Sequence, residues 1–278
     1  MVRERRRLLI PPERLAGRIG LTPAEHHYLS RVLRLGAGQR CDVVDGRGHR
    51  WSALVTGDGQ LDLEQPLGMP LEVHPRPSPR LELAVALPRQ EVDLVWRMAT
   101  ELGIDHLQPL VGERSLSRER WPLERWRTIV REASEQCERL WLPELGDPLA
   151  AAAWLADPGG EGAREDSAVE PTAMEPGPVL NLLATSRGEE LPLLPQLLQA
   201  TPFDTTAPGR GVGRVRLAIG PEGGWSPAED IRARDRGWLA VSAGATILRT
   251  VTAAVAGAAW LTGWRAALSS SSSPWRSP

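Results

Sequence analysis

The sequence predicts an α/β fold preceded by a small β-rich domain. Three observations carry that prediction. From residue 81 onward, strand-like apolar runs alternate with amphipathic helical stretches, the pattern of a largely parallel sheet. The first 75 residues instead hold short β-patterned runs and one helical pattern. Pro75, Pro77 and Pro79 lie between the two as a stiff linker. The boundaries are therefore placed at 1–75 and 80–268, one or two domains being the expectation for 278 residues. Within the second part, residues 157–178 are rich in Gly, Pro, Ala and acids and read as a disordered insertion. The serine run followed by Pro274 makes 269–278 a disordered tail.

The front part opens its regular structure at Thr22-Pro23-Ala24-Glu25. Thr22 caps a helix, Pro23 suits its first position and Glu25 closes a capping box. Leu29, Val32, Leu33 and Leu35 then fall on one face, and Gly36 stops the helix. Strands follow at Arg40 to Val44 and His49 to Val55, around the turn Asp45-Gly46-Arg47-Gly48, and Leu61 to Leu63 continues the pattern.

In the second part, Leu81 to Leu87 reads as a buried strand. Glu91 to Leu102 reads as a helix with Val92, Val95, Ala99 and Leu102 inward, ended by Gly103. His106 to Val111 is the next strand and Leu123 to Glu138 the next helix. Strands resume at Val179 to Leu183 and Val215 to Ile219. The last helix is the alanine-rich stretch Ala253 to Leu268, for which Thr250 is the candidate cap.

Composition narrows the function classes. Apolar residues make up 41% and charged residues 24%, ordinary globular usage. No apolar run approaches the roughly 18 residues of a membrane span, and the arginine-rich N-terminus is followed by only Leu8 to Ile10 before two prolines. The expectation is a soluble cytoplasmic protein with no membrane partner. Cys41 and Cys137 are the only cysteines, too few for a disulfide framework or a cysteine zinc site, and no metal is expected. All 33 basic residues are arginine, and Trp occurs 11 times against one Tyr and one Phe. A GC-rich genome biases codons this way, so the tryptophans are not read as a stacking device. The net charge of −2 hides an asymmetry: residues 1–80 hold 13 Arg against 9 acids, the remainder 20 against 26. A mildly basic front domain suits an RNA-docking module.

The segment richest in chemistry runs from Ile219 to Glu229. A strand ends at Ile219, and Ser226, Pro227 and Glu229 start a helix through another capping box. Between them Gly220, Pro221, Glu222, Gly223 and Gly224 make a tight loop at a strand's carboxyl end, where ligands sit in open α/β sheets. Glycines there let the backbone approach a flat ligand, although a plain strand–helix turn can look the same. The loop is no phosphate-binding loop, since the chain has no lysine, and the Gly-x-Gly-x-x-Gly dinucleotide fingerprint is missing. A second segment, Val241 to Thr250, leads into the last helix and places Arg249 beside small residues.

These two segments together resemble the RsmE family of SPOUT methyltransferases. Glu25 to Leu35, Met98 to Ile104 and Glu124 to Cys137 agree with it in order, so the resemblance covers nearly the whole chain outside the insertion and tail. The resemblance implies a PUA-like β-barrel domain for RNA and a SPOUT α/β domain with a C-terminal trefoil knot. It implies S-adenosylmethionine (SAM) as cofactor, held by Leu183, by Ile219 to Gly224, and by Ser242, Gly244, Ile247 and Leu248. The substrate it implies is a uridine of 16S ribosomal RNA in the small subunit, methylated at N3 by a homodimer. Arg249 is the candidate catalytic residue, and His26, His27, Arg31, Arg34 and Arg114 are candidate RNA contacts. Two other readings stand beside this one: a methyltransferase for another RNA site, and a non-catalytic RNA-binding relative. Where the family has Leu-Gly-x-Arg and Thr-Glu-Thr-Ala, this chain has Ala243-Gly244-Ala245-Thr246 and Thr250-Val251-Thr252-Ala253.

Overall fold

The computed structural model describes residues 6–115, 121–159, 177–186, 191–201 and 212–270. Most of the expected insertion and the tail from residue 271 lie outside these residues. The chain forms two compact units, Met1–Arg76 with Val130–Leu142, and Pro77–Ile129 with Pro143–Pro278.

The first unit is built on a six-stranded sheet. Its strands are β1 (Arg7–Leu9), β2 (Arg18–Gly20), β3 (Arg40–Val44), β4 (His49–Val55), β5 (Gln60–Leu63) and β6 (Glu72–Val73). Their order is β1-β3-β4-β5-β2 with β6 also on β4, and only the β1–β3 pair is parallel. The turn between β3 and β4 needs its glycines. Gly46 and Gly48 have φ of 70° and 96°, and a Cβ on Gly48 would stand 2.4 Å from the His74 carbonyl oxygen. Alternation then sends Cys41, Val43, Ala53 and Val55 into a core with Leu8, Ile10, Ile19, Leu29 and Leu61. The Val130–Leu142 segment is fastened to this unit, Leu9 N–H donating to the Glu135 carboxylate at 2.8 Å.

Helix α1 (Pro23–His27) starts on the expected capping box. Thr22 Oγ1 accepts from Glu25 N at 3.3 Å, and the Glu25 carboxylate accepts from Thr22 N at 2.9 Å. Glu25 is buried and also takes both terminal nitrogens of Arg14, at 2.6 and 2.8 Å. Burial pushes its pKa up, but Arg14 and the Thr22 hydrogen bonds outweigh that and bring it to about 2. The helix does not continue as a regular α-helix to Leu35. Tyr28–Val32 is a π turn, and Arg34 ends the segment in a left-handed conformation, φ 54°. The wider turn changes the phase, so Leu29 and Leu35 stay buried while Val32, expected inward, is 60% exposed.

In the second unit the strands are β7 (Arg80–Ala86), β8 (His106–Val111), β9 (Glu144–Leu145), β10 (Leu149–Ala150), β11 (Val179–Ala184), β12 (Arg214–Ile219) and β13 (Leu239–Val241). They form one parallel sheet in the order β10-β8-β7-β12-β11-β13, with β9 on β8. The helices are α2 (Val92–Leu102), α3 (Leu123–Gln136, whose second half belongs to the first unit), α4 (Ala151–Ala156), α5 (Leu194–Ala200), α6 (Pro227–Asp235) and α7 (Thr250–Ser270). Leu217 and Ile219 of β12 meet α7. Ala218, on the other face, joins Trp154 and Leu155 of α4 and Ala233 of α6. The sheet is thus covered on both sides, which is why its strands are nearly continuous apolar runs.

Two helices depart from expectation. Glu91 sits before α2 with φ 65°, so the helix begins at Val92. Its buried residues are Val95, Trp96, Ala99 and Thr100, whereas Leu102 is partly exposed. The large Trp96 ring claims the interior, edge-on to Trp126 at 5.9 Å. Thr250 is the first residue of α7 rather than a cap before Ala253, and the helix continues to Ser270, into the stretch assigned to the tail. At Gly257 this helix approaches β12 so closely that a Cβ would lie 2.5 Å from Leu217 Cδ2.

A polar row crosses the interior of this sheet. His106, Glu82, Arg216 and Asn181 are register partners on β8, β7, β12 and β11. Glu82 lies 3.3 Å from both Arg214 Nε and Arg216 Nε, 3.6 Å from Arg80 Nε and 3.7 Å from His106 Nδ1. Arg216 is fully buried, with Trp154 at 4.0 Å and Trp238 at 5.2 Å from its guanidinium carbon. Neither the network nor its two tryptophans was anticipated from the sequence.

Candidate active site

Parallel register brings the candidate loops together. Ala184 pairs with Ile219 on one side and with Val241 on the other, so β11, β12 and β13 end side by side. The three loops assigned to the cofactor, from Thr185, Gly220 and Ser242, therefore leave the sheet as neighbours at its carboxyl edge. Cross-links hold them there. Trp225 Nε1 donates to the Ala184 carbonyl at 2.9 Å, tying the second loop to the first. Thr250 Oγ1 donates to the Gly220 carbonyl at 2.9 Å, tying the third to the second. Leu194 N donates to Ser242 O, and Ser242 N to Pro192 O, both at 2.9 Å.

Packing constrains Gly220 and Gly244, while Gly223 has an ordinary contact to its neighbour. A Cβ on Gly220 would be 3.1 Å from the Trp225 ring, one on Gly244 3.1 Å from Leu248 Cδ1, and one on Gly223 3.4 Å from Arg114 Cβ and Cδ. Gly224 has φ 70°, closing a turn in which its N–H donates to Pro221 O at 2.8 Å. Ser226 and Glu229 form the expected capping box of α6, and Glu229 is fully buried. Its second oxygen accepts from Glu113 N at 2.9 Å, which ties in the loop after β8.

The sequence-predicted residues fall into distinct settings. Gly223, Glu222, Ile247 and Arg249 are exposed, Ile247 at 83%. Gly220, Gly224, Ser242, Gly244 and Leu248 are half-buried. Leu183, Ile219 and Pro221 are buried, with Leu183 in the core cluster, so these offer a ligand their backbone rather than their side chains. Glu222 accepts from Arg89 N at 3.3 Å, which anchors it to the loop after β7. Arg249 directly precedes the Thr250 that bonds to Gly220, and its carbonyl accepts from Ala253 N at 2.8 Å in the first turn of α7. Trp225, Glu229 and Thr250 were not singled out as site residues. The capping-box grammar was the available signal for Glu229, but their partners in other loops are far away in sequence.

Among the RNA candidates, His26, His27 and Arg31 line a cleft of about 540 Å³ in the first unit with Leu21, Pro23, Ser30, Asp58 and Gly59. Asp58 is held by Arg18 at 2.6 Å. Arg34 is exposed at the helix end and does not line that cleft. Arg114, the remaining RNA candidate, donates through Nη1 to Gly223 O at 2.9 Å and Trp225 O at 3.0 Å. Among the described residues no group of three or more His, Cys, Asp or Glu is placed to hold a metal ion, and no helix is long and apolar enough to cross a membrane.

A parallel α/β unit with three linked loops at its carboxyl edge, on a chain that also carries a small β-rich unit, is a two-part architecture with the ligand position of an open α/β sheet. The profile of the RNA methyltransferase domain matches residues 75–262, and that of the RNA methyltransferase PUA domain matches 21–64. The ribosomal RNA small subunit methyltransferase E of Synechocystis sp. is 37% identical over 255 residues, covering 89% of this chain and 74% of its own. The chain belongs to that methyltransferase family. Two solved structures share the fold. One, a Legionella pneumophila protein in complex with the bound cofactor SAM, has a TM-score of 0.70 at 25% identity and covers 95% of this chain and 98% of its own. The other, a ribosomal RNA small subunit methyltransferase E of Neisseria gonorrhoeae bound to S-adenosyl methionine, has a TM-score of 0.67 at 23% identity, covering 93% and 97%.

A glycine-to-valine change at position 223 tests the loop. The new side chain enters space next to Arg114 and stands over the exposed backbone of the loop. SAM affinity measured by calorimetry is expected to fall at least about a hundredfold, the loss of roughly 2.7 kcal/mol of binding. The melting temperature should change little, since Gly223 is exposed. Undiminished affinity would remove this loop from the cofactor site.

Proposed function

We propose that this protein transfers a methyl group from SAM to N3 of a uridine in 16S ribosomal RNA of the small subunit. The observation that carries the reading is the convergence of three cross-linked loops at the carboxyl ends of β11, β12 and β13, in a chain of this methyltransferase family. The loops fit a flat, polar cofactor. Gly223 and Gly224 leave backbone open, and the half-buried Leu248 supplies apolar surface. Ile219 to Gly224, Ser242, Gly244, Ile247, Leu248 and the backbone at Leu183 would hold it. Bound there, SAM supplies an electrophilic methyl group on a sulfonium.

The chain's own contribution is alignment and charge. Uridine N3 gives its proton to solvent water, negative charge spreads onto the uracil oxygens, and N3 bonds the methyl carbon as its bond to sulfur breaks, which would leave S-adenosylhomocysteine. Arg249, fixed at the start of α7 one residue from the Gly220 contact, is the group assigned to balance that charge. Glu222 orients the loop through Arg89 N. His26, His27 and Arg31 are assigned to RNA contacts on the PUA-like unit, imidazoles for stacking and the guanidinium for phosphate, with Arg34 flanking them.

Two further features belong to this reading. The segment from Ser242 is bound to Pro192 and Leu194 at one end and, through Thr250, to Gly220 at the other. That supports a chain end drawn between two loops, as a C-terminal trefoil knot requires. Exposed Ile247 and Trp260, at 83% and 48%, are apolar surface that a second copy of the chain would cover in a homodimer. Mass mapping of 16S ribosomal RNA from a strain lacking the gene decides the target: the N3-methyluridine signal is expected to vanish and to return on complementation. An unchanged signal rejects this substrate.

A further inference from the structure

We propose that Arg114 is a positioning residue of the cofactor site, holding the Gly223–Trp225 loop in its binding shape before SAM arrives. The inference rests on the assignment of that loop to the cofactor. Outside the sheet no ladder hydrogen bonds fix this backbone, and two adjacent glycines give it the greatest conformational freedom of any dipeptide. Its carbonyls at Gly223 and Trp225 both take a hydrogen bond from one guanidinium nitrogen, at 2.9 and 3.0 Å. The aliphatic stem of Arg114 lies against Gly223, where a Cβ would be 3.4 Å from both Arg114 Cβ and Cδ. Glu113, the residue before Arg114, is itself held from the same side. Buried Glu229, in the first turn of the helix that follows the glycine loop, accepts from Glu113 N at 2.9 Å and from Ser226 N at 2.8 Å. Gly112 gives it room, since a Cβ there would meet Glu229 Oε1 at 3.3 Å. Arg114 and Glu229 thus tie the carboxyl end of the glycine loop and the start of α6 to Glu113 and Arg114 after β8. A loop ordered in advance binds more tightly because the ligand does not bear the cost of ordering it.

Charge-assisted hydrogen bonds of this kind correspond to about ten- to hundredfold in affinity. Arg114→Ala in the full chain is therefore expected to weaken SAM binding by about that factor in calorimetry. Amide hydrogen exchange at residues 222–225 of the ligand-free protein should speed up, while RNA affinity and melting temperature stay close to wild type. Arg114→Lys, which keeps a cationic donor on a shorter stem, should recover part of the SAM affinity. Unchanged SAM affinity in Arg114→Ala, alongside a loss in Gly223→Val, overturns the positioning role and leaves the cofactor loop standing. Loss of RNA affinity with SAM affinity intact also overturns it, and returns Arg114 to the RNA surface. If wild-type protein fails to bind SAM, both assignments fall together.

Discussion

Arg249→Ala is expected to slow methyl transfer about 10²–10³-fold, the range seen when one preorganised donor to developing charge is removed. The effect should fall on kcat, because Arg249 is assigned to charge that appears only as N3 becomes a nucleophile. SAM affinity should remain within about threefold, since the loop backbones hold the cofactor. The side chain is exposed, so its loss leaves no cavity, and the melting temperature should hold. Arg249→Lys should retain part of the rate, as a point charge without the planar fork. Single-turnover kinetics on a small-subunit substrate measure all of this. A variant with wild-type kcat would remove Arg249 from the catalytic role.

Glu82→Ala should cost about 3–5 kcal/mol of folding stability, because it strips the counter-charge from a buried cation. That is a large share of the roughly 5–15 kcal/mol that holds a domain together. Arg216 would keep its tryptophans, 4.0 and 5.2 Å away, but lose the carboxylate 3.3 Å from its Nε. Replacing both partners, Glu82→Leu with Arg216→Met, should cost less than the single change, since the fully buried cation goes with its carboxylate. Urea denaturation at neutral pH measures each; a single-mutant loss below about 1 kcal/mol would assign Arg216's stabilisation to the aromatic rings and to its hydrogen bonds with Asp157 O and Asn181 Oδ1. The same carboxylate sets a pH dependence. Burial pushes its pKa up, yet interaction with His106, Arg214 and Arg80 prevails and brings it to about 2. Unfolded, it titrates near 4.3. Its contribution is therefore complete above about pH 4.3 and is lost as pH falls through about 2.

Local grammar was readable wherever neighbouring residues settle the structure. The capping boxes at Thr22 and Ser226 start helices through contacts three residues apart. The hairpin of β3 and β4 is signalled by its own glycine turn. Short edge strands such as β2 and β6 gave no such signal, because two or three residues acquire strand geometry only from the partner they pair with. The π turn at Tyr28–Val32 was hidden for a similar reason: an apolar spacing of three and four fits a regular helix, and tertiary packing selects the wider turn.

For the candidate site, the sequence by itself determined the glycine loop, the strand before it, the helix after it and the placement of Arg249 just before α7. These follow from backbone freedom and capping within about a dozen residues. Only the tertiary structure decided what holds the loop. Trp225 reaches Ala184 across 41 positions, Thr250 reaches Gly220 across 30, and Arg114 reaches Gly223 across 109. It likewise set Arg114 against the loop's carbonyls and Glu82 opposite Arg216 in the sheet. Such pairings depend on strand order and register, which are properties of the closed sheet, and no local pattern of residue types encodes them.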